Sequence, residues 1–249
     1  MNAIRANGFT QALGSWGQAL PRPTAILVVS AHWLSQGVTG VTVQERPPTI
    51  HDFEGFPREL HEMQYPAPGH PALAGAAAKL VRSGRAELTD RWGLDHGTWT
   101  VLHHLFPKAD IPVFQVSIDY LKAGAFHLAV GRELAALRDQ GVLIVGSGNI
   151  VHNLRATVRG TPDSRQAARD WAQDFDDSVK KALDAREDQA LGAYLELGPS
   201  ARMAVPTPDH YWPLLYALGA AHGDGAPTHM FEGFQSGTLS MRCLQFGKA

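Results

Sequence analysis

The sequence contains almost no cysteine, little net charge and no long apolar run. Cys243 is the single cysteine in 249 residues, so no internal disulfide can form and a reducing compartment is expected. No apolar run approaches the ~20 residues of a membrane-spanning helix, and the opening residues, MNAIRANGFTQAL, lack the apolar core and cleavage site of a signal peptide. The formal net charge of -2 favours neither a nucleic acid nor an anionic membrane as a partner. These absences predict a soluble cytoplasmic protein that binds no nucleic acid and no membrane.

Motifs that mark several common enzyme classes are also absent from the sequence. It has no G-x-G-x-x-G behind an apolar strand, no P-loop, no H-E-x-x-H and no C-x-x-C. Gly146-Ser147-Gly148 is too short for the turn that carries the nucleophilic serine of α/β-hydrolases. Histidine, by contrast, is plentiful, with twelve residues. By elimination, the sequence favours a histidine-based metal site or acid–base site.

The alternation of apolar strands with helices indicates the fold class. Near-continuous apolar runs, such as TAILVVSA and IPVFQVSID, are typical of strands that are buried on both faces. Strands separated by helices predict a single α/β domain, with a central mostly parallel or mixed sheet and helices on both faces. The expected strands are 24–31, 39–44, 111–119 and 142–148, with a closing strand pair around Ser236-Gly237. The expected helices are 8–20 with Asn7 as its cap, 71–83, 97–106, 124–139, 164–196 and 208–218.

The segment between residues 49 and 70 has a different composition. It combines aromatic side chains with proline and glycine, and it contains too many turn-forming residues for a continuous helix. Irregular segments of this length are uncommon inside compact domains and often line binding sites. We therefore expect this segment to contribute to a ligand pocket.

Two histidines follow buried strands. His32 comes after the first predicted strand and His152 after the strand VLIVGSG, while Asp119 closes the strand between them. In open α/β sheets ligands gather at the carboxyl ends of the strands, so these side chains are expected to share one site. A neutral imidazole there can ligate a transition metal or transfer a proton near neutral pH. The alternative for each histidine is a structural hydrogen bond to a backbone carbonyl, and the sequence leaves both interpretations open.

Two further histidines are candidates because each stands near the start of a predicted helix. Asp95 suits the cap of one helix, which places His96 at its N-terminus, where the helix dipole favours the neutral imidazole. His210 follows Asp209 at the start of another helix, among aromatic residues. Taken alone, a histidine at the start of a helix is more often a surface residue than part of a site. We expect the surface to carry His61, His70, His127, His222 and His229.

Five blocks of the sequence, taken in order, resemble a known family of enzymes. They are AILVVSAHW, PPTIHDFEGFPRELHEMQYPAPGHPALA, WGLDHGTWTVLHHLFPKADIPVFQVSID, VGSGNIVHNLR and PTPDHYWPLLYALGA. The family is that of the DOPA-type class III extradiol ring-cleavage dioxygenases, in the superfamily of the beta subunit of protocatechuate 4,5-dioxygenase. The resemblance implies a single α/β domain with one non-haem Fe(II), or with zinc in some members. It also implies a catechol substrate, whose ring is opened by O2 beside the two hydroxyls to give a muconic semialdehyde. The family further implies a monomer or a small homo-oligomer.

The resemblance assigns roles to the four candidate histidines, motif by motif. His32 of SAHW and His210 of PDHYWPL match two metal ligands. His152 of GNIVHNL matches the catalytic acid–base residue. His96 of LDHG matches a histidine that faces the substrate and takes part in catalysis.

Four neighbouring residues are expected to support these histidines. Phe53, in the aromatic segment, and Asp95 are predicted to contact the substrate. Asn153 and Asp209 each adjoin one of the matched histidines, and on that adjacency they are predicted to orient the site.

The resemblance also implies a departure at the beginning of the chain. In the family, an apolar strand that ends in Gly-His-Gly-Ser-Pro precedes Met-Asn-Ala, and its histidine is the third metal ligand. This sequence starts at Met1-Asn2-Ala3. We therefore expect residues 1–249 to form the catalytic domain without that strand and ligand, to bind metal weakly and to leave a sheet edge exposed. Two alternatives stay open: a zinc-dependent hydrolase with a histidine-rich shell, and a non-catalytic vestigial binding protein of the same fold.

Overall fold

The chain folds around a five-stranded sheet with helices on both faces. The structure is a computed structural model, and it describes residues 2–158, 160–161 and 163–247. The strands are β1 (Ala25–Ser35), β2 (Thr39–Thr42), β3 (Ala86–Thr89), β4 (Val113–Asp119), β5 (Val142–Ser147), β6 (Thr228–Phe231), β7 (Phe234–Gln235), β8 (Leu239–Ser240) and β9 (Cys243–Gln245). The α-helices are α1 (Gly8–Ala19), α2 (Arg58–Glu62), α3 (Pro71–Leu80), α4 (His96–Leu105), α5 (Gly124–Leu134), α6 (Asp170–Asp184), α7 (Asp188–Gly192), α8 (Ala201–Ala204) and α9 (Trp212–Ala220). Short 3-10 helices cover Asn2–Ile4, Ala135–Gln140, Leu154–Ala156, Arg165–Ala167, Tyr194–Glu196 and Pro208–His210.

The order of the strands in the main sheet is β3-β2-β4-β1-β5. The central strand β1 runs parallel to both β4 and β5, and β2 runs parallel to β3 but antiparallel to β4. The predicted α/β class and mixed sheet are therefore confirmed. The strand pair expected around Ser236-Gly237 is also confirmed, as the β7–β8 pair, and β6 pairs with β9 in a separate ribbon.

The side chains of β1 enter two hydrophobic cores in alternation. Ala25, Leu27 and Val29 join the core that also contains α3, α5, α6 and α9. Ile26 and Val28 join the core formed with α1 and α4 on the opposite face. This period of two is the geometry of a strand that is covered on both faces, which explains why residues 25–29 are all apolar.

The strand β1 is distorted where it approaches the carboxyl edge of the sheet. Its pairing with β4 passes from Val29 opposite Val116 to Leu34 opposite Ile118, so three extra residues of β1 bulge out of the ladder. His32 lies in this bulge. The prediction that β1 ends before His32 is thus corrected, because the strand resumes beyond the bulge and the histidine is displayed from inside it.

The predicted helix 164–196 is wrong as a continuous element. The helices α6 and α7 are separated by Arg186, whose φ of 55° is left-handed and breaks the helical hydrogen-bond pattern. The Arg186 guanidinium donates hydrogen bonds of 3.1 Å to the carbonyl oxygens of Ala221 and Asp224. These contacts to a distant part of the chain hold the break, and the local sequence pattern does not reveal them.

Smaller differences concern short elements and the ends of helices. The sequence pattern predicts neither α2, a single turn inside the aromatic segment, nor β3, which is four residues long and lies at one edge of the sheet. The helix expected over 124–139 is α-helical only to Leu134 and continues as a 3-10 helix. Such ends depend on packing more than on periodicity.

His127 is buried, contrary to the expectation that it lies on the surface. Its Nδ1 is 3.0 Å from the Tyr216 hydroxyl, and its Nε2 is 3.3 Å from the Lys122 carbonyl oxygen. Burial lowers the pKa of His127 to about 4, against smaller opposing effects of the Lys122 carbonyl and Asp119. The ring is therefore a neutral core side chain at neutral pH.

The outer edge of β5 is open in the described part of the chain. β5 pairs with β1 on one side, and no strand of the described residues pairs with it on the other. A groove of about 430 Å³ runs along this edge between α1, α9 and the C-terminal tail, and Leu143, Ile144 and Val145 remain partly exposed in it. No helix among the described residues is both long and apolar enough to cross a membrane.

Candidate active site

The four histidines singled out in the sequence come together at the carboxyl edge of the sheet. The ring centroids of His32 and His96 are 3.8 Å apart, and those of His32 and His210 are 5.3 Å apart. His152 stacks on His210 with a centroid distance of 3.5 Å and an angle of 4° between the rings. Residues from four separate parts of the chain thus form one cluster.

Different elements deliver the four side chains. His32 projects from the bulge of β1, and His96 is the first residue of α4, whose cap is Asp95 as expected. His152 follows β5, and its backbone N–H donates to the Ala204 carbonyl at 3.0 Å. His210 ends a 3-10 turn that leads directly into α9.

The glycines after β5 allow the segment that carries His210 to lie directly on the strand. A Cβ at Gly146 would come within 2.3 Å of the Pro213 carbonyl oxygen, and one at Gly148 within 2.2 Å of the His210 carbonyl oxygen. The backbone N–H of Asn149 donates to that same His210 carbonyl at 2.8 Å. The Gly-Ser-Gly stretch therefore serves close backbone packing between two parts of the site.

Asp52 belongs to the site, although the sequence pattern indicates only that its segment, between residues 49 and 70, contributes to a pocket and does not single out this carboxylate. Its Oδ2 is 3.1 Å from His32 Nδ1, and its Oδ1 is 2.9 Å from both the ring Nδ1 and the backbone nitrogen of His96. Burial raises the pKa of Asp52, but the hydrogen bonds from His32 and His96 outweigh burial and hold it well below its usual range. The side chain is therefore a carboxylate, and it anchors the aromatic segment to two histidines.

His32, Asp52 and His96 form a group that could hold a metal, because one ligand atom from each lies within 4.8 Å of the others. The contacts allow two roles for Asp52. It could ligate the metal itself, or it could accept the Nδ1 protons of the histidines and leave their Nε2 atoms as ligands. The second role fits the contacts, because Oδ1 accepts the His96 backbone N–H, and the ionised Oδ2 can only accept at its 3.1 Å contact with His32 Nδ1.

The environment keeps the deeper histidines uncharged. Burial lowers the pKa of His210 well below its ordinary value, and the neighbouring His152, His32 and His96 lower it further. Burial also lowers the pKa of His152. Two smaller effects act on the same pKa: Asp209 raises it and His32 lowers it. Neutral imidazoles are the form that ligates metals and accepts protons. The cluster can therefore perform both kinds of chemistry at neutral pH.

Asp95 lies beneath this cluster, fully buried. Its Oδ1 accepts hydrogen bonds from the Ser30 hydroxyl at 2.7 Å and from the Thr98 backbone N–H at 3.0 Å. Its Oδ2 accepts from Trp92 Nε1 at 3.1 Å and from Gln115 Nε2 at 2.8 Å. With four donors on its two oxygens, Asp95 is built to hold the start of α4 against the sheet, and the predicted contact with substrate stays a prediction.

The remaining predicted residues surround the cluster. Phe53 packs edge-on against His96, with ring centroids 5.2 Å apart. Asn153 is buried; its amide donates to the Met203 carbonyl at 2.7 Å and its Oδ1 accepts from the Ala156 backbone N–H. Asp209 places a carboxylate oxygen 3.9 Å from His210 Nε2. Phe53 thus borders the histidines, whereas Asn153 fixes the turn that follows His152.

Known proteins are similar to this chain in sequence and in fold. Residues 3–241 match the family described as the catalytic LigB subunit of aromatic ring-opening dioxygenase. A protein of Escherichia coli (strain K12) named 4,5-DOPA dioxygenase extradiol is 47% identical over 251 residues, which cover 99% of this chain and 91% of that protein. A protein of the same name from Beta vulgaris is 36% identical over 239 residues, which cover 94% of this chain and 87% of that protein.

The fold agrees with a solved structure as well. The crystal structure of an uncharacterized protein from Escherichia coli K12 aligns with a TM-score of 0.84 at 42% sequence identity. The alignment covers 98% of this chain and 94% of that one. Family match, sequence identity and fold agree over nearly the whole chain, and the chain therefore belongs to the LigB family of class III extradiol, aromatic ring-opening dioxygenases.

Proposed function

We propose that this enzyme uses a non-haem Fe(II) to open the ring of a DOPA-like catechol with O2, beside the two hydroxyls, to a muconic semialdehyde. Family membership supports ring-opening dioxygenase chemistry, and the relatives named 4,5-DOPA dioxygenase extradiol support a catechol of that kind. The observation that carries the proposal is the cluster of four histidines, with Asp52 beside it, at the carboxyl edge of the sheet.

The donor set suits a first-row transition metal. Neutral imidazoles bind ferrous ion and zinc well, and a carboxylate that accepts a proton from a ligating imidazole raises its basicity. We assign His32 and His210 as the ligands, with Asp52 as the acceptor that orients His32. A bound ferrous ion would supply the redox and Lewis-acid chemistry that brings catechol and O2 to reaction. Zinc could occupy the same donors without supplying the redox chemistry.

A third ligand is expected for a metal that must keep positions open for substrate and O2. The groove along β5 has room for a further segment of chain that could carry this ligand. An extended segment paired with β5 would lie ~4.8 Å from that strand. If it ran parallel to β5, it would end at the same edge of the sheet as the histidine cluster. We assign the groove as the seat of such a segment, carrying a histidine at its carboxyl end, and Asp52 is the alternative third donor within the described residues.

The other side chains act on the substrate. His152, neutral and stacked on His210, is placed to accept a proton from a catechol hydroxyl and to return it later in the reaction. His96, half-exposed beside Phe53, is placed to hydrogen-bond the substrate or an oxygen anion derived from it. Phe53 gives the aromatic ring an apolar surface at the same point.

The test combines metal content with oxygen consumption. Two versions of the protein would be reconstituted anaerobically with Fe(II) or Zn(II): residues 1–249, and the same chain preceded by an apolar strand ending in Gly-His-Gly-Ser-Pro. Each would then receive DOPA, caffeate and protocatechuate in an oxygen-electrode cell, with absorbance recorded for a yellow product. We expect O2 uptake and a ring-opened product only with Fe(II), and tighter iron binding by the extended version.

Other outcomes would reject the proposal. Metal binding by both versions with no O2 uptake on any catechol would favour the vestigial binding protein. Product formation with zinc in the absence of O2 would favour a hydrolase. Equal iron affinity of the two versions would reject the assignment of the groove while leaving the dioxygenase function in place.

A further inference from the structure

Asn149 contacts the proposed metal ligand His210 in two ways. Its Oδ1 lies 3.1 Å from His210 Nδ1, and its backbone N–H donates to the His210 carbonyl oxygen at 2.8 Å. On its other side, Asn149 Nδ2 donates to the Ser240 carbonyl oxygen at 2.7 Å. The side chain thus bridges the histidine and the C-terminal tail, which are otherwise separate parts of the site.

These contacts fix the protonation pattern of the His210 ring. The Ser240 carbonyl can only accept a hydrogen bond, so the amide nitrogen of Asn149 must face it. The amide oxygen must then face His210, and because that oxygen can only accept, the proton of the neutral imidazole must sit on Nδ1. The lone pair of the ring is therefore on Nε2. An amide turned the other way would place two acceptors together at 2.7 Å.

Ser240 is itself held, through its hydroxyl, by a buried ion pair. The Ser240 hydroxyl donates to Asp176 Oδ1 at 2.6 Å, and the Ser240 backbone N–H donates to the Val151 carbonyl at 3.0 Å. The guanidinium of Arg242 donates two hydrogen bonds to the same carboxylate, from Nε to Oδ1 at 3.2 Å and from Nη2 to Oδ2 at 2.5 Å. Both charged side chains are at most 1% exposed. A buried, bidentate pair of this kind has little freedom, so it fixes the tail segment against which Asn149 is aligned.

We infer that Asn149 is a positioning residue for His210: it selects the tautomer that presents Nε2 as a metal ligand, and the Asp176–Arg242 pair anchors it. The inference rests on the proposed role of His210 as a ligand. Metal-bound histidines are commonly oriented by an oxygen acceptor on their second ring nitrogen, and loss of that acceptor typically weakens metal binding by about 10–100-fold. Asn149 provides His210 with the acceptor that Asp52 provides to His32.

A purely structural role for Asn149 makes different predictions. If the amide only ties the tail to the segment after β5, its replacement lowers the melting temperature and affects metal binding only as far as the fold loosens. Asn149→Asp separates the two roles. It keeps an oxygen acceptor for His210 Nδ1 but places an oxygen instead of a donor against the Ser240 carbonyl. The tie to the tail is lost while the histidine contact remains.

The experiment measures the zinc affinity of the apo-protein by competition with a chromophoric chelator, well below the melting temperature of every variant. We expect Asn149→Ala to weaken zinc binding at least tenfold, and Asn149→Asp to stay within about threefold of the parent despite a lower melting temperature. His210→Ala serves as the reference for loss of the ligand. Long-range nitrogen-15 NMR of the histidine rings in the unmodified apo-protein is expected to show His210 protonated on Nδ1.

The outcomes separate the inference from the function on which it rests. If His210→Ala keeps the parent's zinc affinity, His210 is not a ligand, and both fail. If His210→Ala loses affinity while Asn149→Ala does not, or if zinc affinity falls equally in the alanine and aspartate variants, the positioning role is overturned and the ligand role stands. An Nε2 proton on His210 in the unmodified protein overturns the tautomer assignment without any substitution.

Discussion

Gly148 carries one of the tightest steric constraints at the site, so its replacement by alanine tests the packing directly. The added Cβ would lie 2.2 Å from the His210 carbonyl oxygen and 3.0 Å from Pro213 Cγ. Atoms in ordinary contact are roughly 3.5 Å or more apart, so the first distance is short by about 1 Å. Both neighbours belong to the segment that carries His210 into the site. The strain therefore falls on a proposed ligand and not on a flexible surface side chain.

The expected cost is that of overpacking, about 1–3 kcal/mol. For a protein of this size each kcal/mol corresponds to ~2–4 °C in Tm, so Gly148→Ala should melt roughly 2–12 °C lower. Zinc affinity should also fall, by about tenfold, because the backbone of His210 must move. Gly75→Ala is the matched control, since Gly75 lies inside α3 with nothing within 4 Å of an added Cβ. There the same change should stabilise the protein by ~0.5–1 kcal/mol.

Thermal unfolding and a zinc titration of both variants test whether the end of β5 packs closely against the segment that carries His210. Opposite signs for the two Tm shifts, with metal binding weakened only in Gly148→Ala, would support close packing of the strand end on the His210 segment. If Gly148→Ala melts and binds zinc like the parent, the segment lies farther from β5 than the structure shows. The Gly-Ser-Gly stretch would then not serve close backbone packing.

Four further predictions concern single side chains. His152→Ala should lower turnover at least 100-fold with bound metal unchanged, because it removes the proposed base and no ligand; retained turnover would remove His152 from that role. Asp52→Asn should weaken zinc binding about tenfold through His32, whereas Glu54→Gln, in the same loop, should not; equal affinities would show that Asp52 does not orient the ligand. Phe53→Ala should weaken catechol binding by about 1 kcal/mol, roughly fivefold, and an unchanged Kd would show that Phe53 does not contact the catechol ring. Burial lowers the pKa of His127 from 6.5 to about 4, so between these pH values the folded protein binds fewer protons at this residue than the unfolded chain does. The contribution of His127 to the free energy of unfolding is therefore fully present above pH 6.5 and is lost as the pH drops towards 4. Urea unfolding should show a loss on the order of 3 kcal/mol over that range, and His127→Gln should lose this part of the slope.

The sequence predicts those parts of the fold and site that depend on local periodicity. Apolar runs identify β1, β4 and β5 because both faces of these strands are covered, and the ends of the apolar runs indicate where His32 and His152 lie. The cap at Asp95 is also local, since an aspartate side chain satisfies a backbone donor three residues on. Each of these predictions needs information from only a few neighbouring residues.

The orienting groups could not be predicted in this way. Asp52 contacts a histidine twenty residues earlier, and Asn149 contacts one that is 61 residues later. Nothing in the composition of either neighbourhood distinguishes an orienting carboxylate or amide from an ordinary turn residue. The bulge that displays His32 is likewise set by the pairing of β1 with β4, which the sequence of β1 alone does not show. The sequence identified the candidate histidines, and the fold supplies the side-chain oxygens that contact them.

The two proposed metal ligands are arranged in the same way, with the ring Nδ1 of each beside a side-chain oxygen from another segment. His32 turns its Nδ1 to the carboxylate of Asp52, and His210 turns its Nδ1 to the amide oxygen of Asn149. In each case the acceptor belongs to another segment, and that segment is held in turn by a further contact, to the His96 backbone or to the Ser240 carbonyl. Both Nε2 atoms are therefore aimed only when the aromatic segment, the end of β5 and the C-terminal tail are all in place. A metal that binds these nitrogens is coupled to the ordering of three distant stretches of chain, so its affinity measures the integrity of the whole carboxyl edge of the sheet and not of the two histidines alone.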